Sequence, residues 1–472
     1  MMKRYLAAIF SMFLLCFLNA CGGSSNAGGG GGSRAATHFA LTAPAAATAG
    51  TPITLTVVAL DSLNQTATGY SGTVHLTSSD PQAVLSGDST LTNGTKGFSE
   101  TFGTAGNQTI SATDTVSSAI AGVSSPIQVA ADPNLHSFRP TGDMGTVRKD
   151  HTATLLPDGK VLVAGGFDGS AFLASAEIFD PVAGTFTATG TMLAARSSFS
   201  AVLLAHGPAA TNGKVLVAGG DSAKTAELFD PSTGIFTAVG ATTTVLFDSK
   251  AVLLNSGKVL FVGSPVNTAQ VFDPATMTFA ATARMTTSRL GPTATLLNDG
   301  KVLITGGYIQ IDSLDTAEVF DPATGTFTAT GDLITARSGH TATLLNNGKV
   351  LVAGGFDDNG PLTSAELFDP ATGSFSSTSS MASDHAAHTA TALDDGTVLI
   401  AGGSGSSNAT GDSSKVAELF DPLTNKFTPA VSMGTGRDSH TATLLNNGGV
   451  LVTGGESQNN PVVVLKSAEV YK

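Results

Sequence analysis

Short apolar runs punctuated by turn residues recur along most of this chain, and the clearest copy extends from Arg337 to Phe375. It opens with H-T-A-T-L-L and K-V-L-V-A, two runs rich in β-branched and apolar residues, divided by N-N-G. An Asn-Gly pair tolerates positive φ, so the two runs predict a hairpin with a two-residue turn. A-E-L-F follows as a third strand. D-P-A-T-G then supplies an Asp cap, a fixed φ and a glycine reversal before a fourth strand begins at Phe375. Each copy therefore predicts a four-stranded antiparallel meander.

Seven copies, whole or worn, lie between Arg148 and Lys472. Their G-G pairs end at Gly166, Gly220, Gly307, Gly355, Gly403 and Gly455, with a variant at Gly263-Ser264. A period of about 43 to 54 residues predicts a stacked or ring-shaped repeat fold. Stacking small sheets around an axis buries their apolar faces, and closing the ring removes most open edges. The fourth-strand Phe appears only six times, at Phe186, Phe236, Phe279, Phe327, Phe375 and Phe427. Phe138 to Met144 resembles the stretch from Phe327 to Leu333, so a strand within 136–144 is expected to complete the last sheet.

The recurring H-x-x-x-L-L-x-D-G-x-V followed by G-G resembles the kelch-repeat β-propellers, and among them the galactose-oxidase-like bacterial branch. The resemblance covers about 335 residues. It implies an all-β chain with a seven-bladed kelch-type β-propeller over residues 132–472, closed by the strand at 136–144. One departure is Phe in the fourth strand where many kelch repeats carry Trp, a residue this chain lacks.

Ahead of the repeats, Lys3 and Arg4 precede an apolar run from Tyr5 to Leu18 and then Leu18-Asn19-Ala20-Cys21, which predicts a targeting segment over 1–21. It resembles a bacterial lipoprotein signal. That implies lipid on Cys21 and, with Gly22 behind it, an outer-membrane, surface-exposed protein. Residues 22–36 read as a Gly/Ser-rich tether. From Thr37 to Ala131, strands such as Ile53 to Leu60 and Thr73 to Thr77 alternate with turns, predicting a β-sandwich over 37–131. Its phrases A-G-T-P-I-T-L-T-V-V-A-L-D and T-S-S-D-P resemble bacterial immunoglobulin-like modules. Asp61 and Asp80 are read there as solvated turn acids, with calcium as the alternative.

Composition narrows the chemistry. Cys16 falls in the removed segment and Cys21 would carry lipid, leaving no thiol for disulfides or nucleophilic catalysis. Losing Lys3 and Arg4 from 23 basic residues leaves 21 against 36 acidic ones, a net of about −15. With no basic run, neither nucleic acid nor an anionic lipid surface is an expected partner. A monomer that touches the membrane only through its anchor is expected.

In a meander of this kind the fourth-to-first connections and the second-to-third loops share one face, and variable loops on a rigid frame commonly carry binding. His151, His340, His388 and His440 open the first strands of blades 1, 5, 6 and 7. Three residues before that slot stand Arg148, Arg196, Arg289, Arg337 and Arg437, with His385 in blade 6. Arginines suit planar anions. A structural pairing competes, because the third strands carry a Glu and blade 3 departs at both places, with Leu246 and Gln270. Phe167, Tyr308 and Phe356 follow the G-G and are read as stacking residues or loop anchors.

The galactose-oxidase-like resemblance implies a copper site of His and Tyr ligands, including a Tyr-His pair and a Tyr cross-linked to Cys. Here Asp150, Gly339, Ala387 and Ser439 precede the histidines, and only Tyr70, Tyr308 and Tyr471 remain beyond the leader. Copper radical chemistry is therefore not expected, and neither metal nor cofactor is assigned. No G-x-S-x-G, H-E-x-x-H or P-loop occurs. Acids recur by register, so no catalytic residue is named. The expectation is a non-enzymatic binding or adhesion lipoprotein whose propeller face engages a protein or glycan at the cell envelope. The alternative is a carbohydrate-active hydrolase or epimerase at the propeller mouth, without copper.

Overall fold

The structure, a computed structural model, describes residues 35–80, 83–103, 105–130, 137–205, 208–263, 267–405, 415–457 and 461–472. The expected targeting segment, tether and Cys21 lie outside the described residues. The chain divides into two compact units, Met1–Asp132 and Pro133–Lys472.

The first unit is built from strands alone among its described residues. Pro52–Leu60 pairs with both His38–Thr42 and Thr95–Thr101. Ile127–Ala130 sits between Ala46–Thr48 and Gly106–Gln108. A third sheet runs Ser89–Thr90, Thr73–Ser78, Ile110–Asp114, Ala121–Val123. Alternation does the work, since Leu55, Val57 and Ala59 are buried while the residues between them reach the surface. Asp61 and Asp80 correct their sequence reading, because both are buried. Asp61 Oδ1 accepts the N–H groups of Leu63 and Gln65 at 2.8 and 2.9 Å, and Asp80 Oδ2 accepts that of Gly103 at 2.8 Å.

In the second unit the Arg337 repeat folds as Thr341–Leu344, Val350–Ala353, Ala365–Asp369 and Ser374–Ser377, paired in that order and all antiparallel. Seven such four-stranded sheets occur among the described residues. Each first strand touches the next, and Thr441–Leu444 returns to Thr152–Leu155. The last sheet takes its outer strand from Phe138–Pro140, in register Phe138↔Tyr471 and Pro140↔Glu469.

Burial explains the composition of each strand. All four residues of every second strand from Val161–Ala164 to Val450–Thr453 are buried. Val215 and Val217 pack toward the preceding blade, and Leu216 and Ala218 toward the following one. That two-sided burial is why this strand reads as an unbroken apolar run. Each third-strand aromatic stacks on a fourth-strand Phe opposite it, as Phe368 does on Phe375 at 4.9 Å. In the last sheet Tyr471 meets Phe138 at 5.0 Å.

The turn between first and second strands differs from expectation in six of the seven sheets, as the Arg337 repeat illustrates. Leu345 N–H donates to the Lys349 carbonyl and Gly348 N–H to the Leu345 carbonyl, at 2.8 and 2.9 Å. The hairpin therefore closes around three residues rather than two, with Gly348 at φ 82°, the form in which a left-handed residue ends a type I turn.

Candidate active site at the ring mouth

The G-G pair stitches neighbouring blades. Gly355 N–H donates to the His385 carbonyl of the next blade at 2.8 Å, and Gly403 N–H to that of Arg437 at 2.8 Å. The first glycine of each pair leaves room for a side chain from the next blade. A Cβ on Gly354 would fall 2.8 Å from His388 Cε1, and one on Gly165 2.6 Å from Phe199 Cε1.

The arginines expected at the mouth are placed elsewhere. Arg148, Arg196, Arg289, Arg337 and Arg437 are no more than 1% exposed. Arg337 donates to the Gly354 carbonyl at 2.7 Å and to Glu366 Oε1 at 2.6 Å. The same carboxylate accepts the N–H groups of Ile334 and Thr335. Glu177, Glu227, Glu318 and Glu469 hold the other four arginines. In blade 3 Gln270 accepts the Thr243 N–H at 2.7 Å without any arginine. In blade 6 His385 reaches the Gly402 carbonyl and Glu418. These six residues latch the incoming chain to the blade, and their burial keeps them from gripping a ligand.

The histidines line a central channel of about 490 Å³ together with the Thr and Ala of the first strands, yet little of each ring is open. His151, His340, His388 and His440 are 6–7% exposed. Their Nε2 atoms meet threonine hydroxyls, as His388 meets Thr341 at 2.9 Å and His440 meets Thr389 at 3.0 Å. Burial, then the charge of the arginine three residues earlier, pushes His340 down to about 3. His440 falls to about 3 for the same reasons, and burial holds His151 and His388 well below 6.5. All four are neutral groups that line the channel with little of each ring open.

Immediately before the histidine slot the backbone turns left-handed in every blade, at Asp150, Ser198, Asp248, Gly291, Gly339, Ala387 and Ser439. These seven residues stand one or two positions ahead of the residues that line the channel. Several are joined by hydrogen bonds, from Ser439 N–H to the Ala387 carbonyl, Ala387 N–H to Gly339, and Asp150 N–H to Ser439. Two of the seven are acids. Burial raises the Asp150 carboxyl above its usual range, Lys149 opposes this, and Glu456, Asp248 and Asp438 add to it. Burial likewise raises Asp248, against the pull of Lys250, whose Nζ lies 3.9 Å away. Lys149 pairs with Glu456 at 2.6 Å.

Sequence reasoning missed this pair because it scanned acids for an isolated couple. The signal was available as a column, since only two blades place an acid in a slot otherwise filled by Ser, Gly or Ala. The aromatics of the post-glycine slot stand near the rim. Tyr308 bridges Leu290, Phe356 bridges Ser338, and Phe167 bridges Lys149. Phe167 also packs edge-on against Phe172 at 6.0 Å.

Comparison with known proteins adds the following. The kelch motif matches at residues 151–193, 289–333, 336–382 and 385–434. No curated protein matches this sequence. A solved structure described as a novel fungal alcohol oxidase with catalytic diversity among the AA5 family, in complex with copper, is similar with a TM-score of 0.59 and 17% identity. The similarity covers 72% of this chain and 76% of that one. At such identity the likeness establishes the fold alone. The expectation of a non-enzymatic binding or adhesion protein is corrected here, since a solved structure of this fold is that of an oxidase.

Proposed function

From a kelch-type β-propeller of galactose-oxidase-like fold, we propose that the ring mouth is the active site of a carbohydrate-active enzyme, a hydrolase or epimerase working by acid–base chemistry through Asp150 and Asp248. The observation that carries this reading is the rim itself. Two carboxyls occupy the same left-handed slot on blades 1 and 3, flanking Ser198, with small residues in every other position. A desolvated carboxyl keeps its proton longer and so can act as a general acid, while its partner accepts one. Asp150 feels the charge of Asp248, so the two are expected to titrate as a coupled pair. In hydrolysis one carboxyl protonates the departing oxygen while the other either activates the attacking water or itself attacks the anomeric carbon, in which case water then releases the sugar. In epimerisation one removes a proton beside a carbonyl and the other returns it.

The residues present do not fit the copper of the similar oxidase. Histidine Nε2 atoms at the channel are committed to threonines, and His385 is committed to Glu418 and a carbonyl. Tyr471 belongs to the closing sheet. Among the described residues no three His, Cys, Asp or Glu side chains gather as an ion's ligand set. No step is routed through a metal.

We further infer a seven-bladed ring, an immunoglobulin-like spacer over 37–131 and a lipid on Cys21 that anchors the protein at the outer surface of the envelope, where a glycan would be met. The sequence features of 1–36 support the anchor. Incorporation of labelled palmitate that persists in Cys21→Ser would sink it.

The activity is tested by incubating the full chain with a panel of neutral and acidic oligosaccharides and following products by mass and proton NMR. Saturable turnover is expected, falling at least about 100-fold in Asp150→Asn and in Asp248→Asn. Turnover that survives both changes, or its absence across the panel, overturns the reading.

A further inference from the structure

We propose that Tyr308 and Phe356 form a stacking platform for an uncharged sugar ring, seated beside the bare backbone of Gly291 and Gly339 and facing the carboxyls of Asp150 and Asp248. This rests on the reading that the mouth acts on carbohydrate. The seven rim slots divide into two arcs. Ser439, Asp150, Ser198 and Asp248 carry polar side chains, whereas Gly291, Gly339 and Ala387 share a single methyl.

The arc of small residues has aromatic borders, and at Gly291 the Asp248 carboxyl lies against the bare backbone. A Cβ on Gly291 would fall 3.2 Å from Tyr308 Cε1 and 2.6 Å from Asp248 Oδ2, and one on Gly339 would fall 3.5 Å from Phe356 Cδ2. The missing side chains therefore leave two rings of adjacent blades at the rim, each half-buried with part of its surface open. Tyr308 is also close enough to Asp248 to feel its charge.

The rings sit on loops that are structured and tied to each other. Tyr308–Ile309 pairs with Asp312–Ser313, and Phe356–Asp357 with Gly360–Pro361. Ser313 Oγ donates to the Phe356 carbonyl at 3.0 Å, and Asp358 accepts the Ser313 N–H at 3.2 Å. A platform ordered before binding loses little entropy when a ligand arrives. Ring faces present the flat apolar surface on which the C–H face of a pyranose packs.

Charge selects the sugar. Asp150, Asp248, Asp438 and Glu456 outnumber Lys149 and Lys250 around the mouth, and Lys149 is already paired with Glu456. A uronic or phosphorylated sugar would enter a negative field, which like-charge juxtaposition disfavours.

Calorimetric titration of the full chain decides the matter, with cellotetraose, xylotetraose and chitotetraose as neutral probes and tetragalacturonate as the anionic one. Binding of at least one neutral probe and none of tetragalacturonate is expected. Tyr308→Leu and Phe356→Leu, which keep packing volume but remove the ring face, should each weaken binding about 3- to 10-fold. Tyr308→Phe should bind as the native chain does, and thermal unfolding checks that each variant is folded. The platform is overturned if no neutral probe binds, if tetragalacturonate binds as tightly, or if the Leu variants bind unchanged. Turnover that ignores the rings sinks the platform and spares the active site. Ring-dependent binding without turnover does the reverse.

Discussion

At the scale of single residues, the buried Arg–Glu latch is the feature most open to a quantitative test. Arg337 and Glu366 are almost wholly enclosed, and removing one partner strands the other's charge. Arg337→Leu is expected to lower stability by about 3 to 5 kcal/mol in urea unfolding. Blade 3 already runs on Leu246 and Gln270, so Arg337→Leu with Glu366→Gln should recover most of that loss. A double variant no more stable than the single one would refute the equivalence. The pairing was legible in the sequence because one blade departs at both positions at once. The rim acids were legible only as a column, two acids in a slot that the other blades fill with Ser, Gly or Ala, whereas the closeness that lets Asp248 act on Asp150 is a product of the fold and is not written in residue identity.

At the scale of elements, the strand Phe138–Pro140 completes a sheet whose other three strands come from the far end of the repeats. Its Phe packs on Tyr471, and Ser137 N–H and the Lys472 carbonyl extend the ladder at 3.1 Å. Phe138→Ala should cost about 2 to 3 kcal/mol, read as a lowered thermal midpoint. Deleting residues 137–141 should in addition expose the edge of Ala468–Tyr471 and promote association, measurable by light scattering; an unchanged midpoint would exclude the clasp. Strands and their partners were legible because period-two alternation and turn residues are local. The three-residue turn at Asn346 to Gly348 was not, because an Asn-Gly pair suits both a two-residue turn and a left-handed closing position.

At the scale of the whole molecule, four neutral histidines are spread around one ring, and their protonation couples its stability to pH. His340 and His440 are depressed to about 3 from 6.5. As pH falls through 6.5 the unfolded chain takes protons that the folded ring refuses, so stability is whole above that value and drains away toward pH 3. The thermal midpoint should therefore drop between pH 7 and pH 4. His340→Phe, the residue blade 2 uses as Phe199, should flatten the slope, and an equally steep slope in that variant would argue against the assignment. The repeat architecture was legible from spacing, whereas the loops that shape the mouth are irregular and carry no period to read. The first glycine of each G-G pair has a further consequence. Because a bare backbone receives whatever ring the following blade offers, His388 over Gly354 or Phe199 over Gly165, the two sides of each seam need not mutate in concert. A chain assembled from copied segments can thus let individual copies change at their rim, as blades 1 and 3 have in carrying an acid there, while the joints between them stay interchangeable.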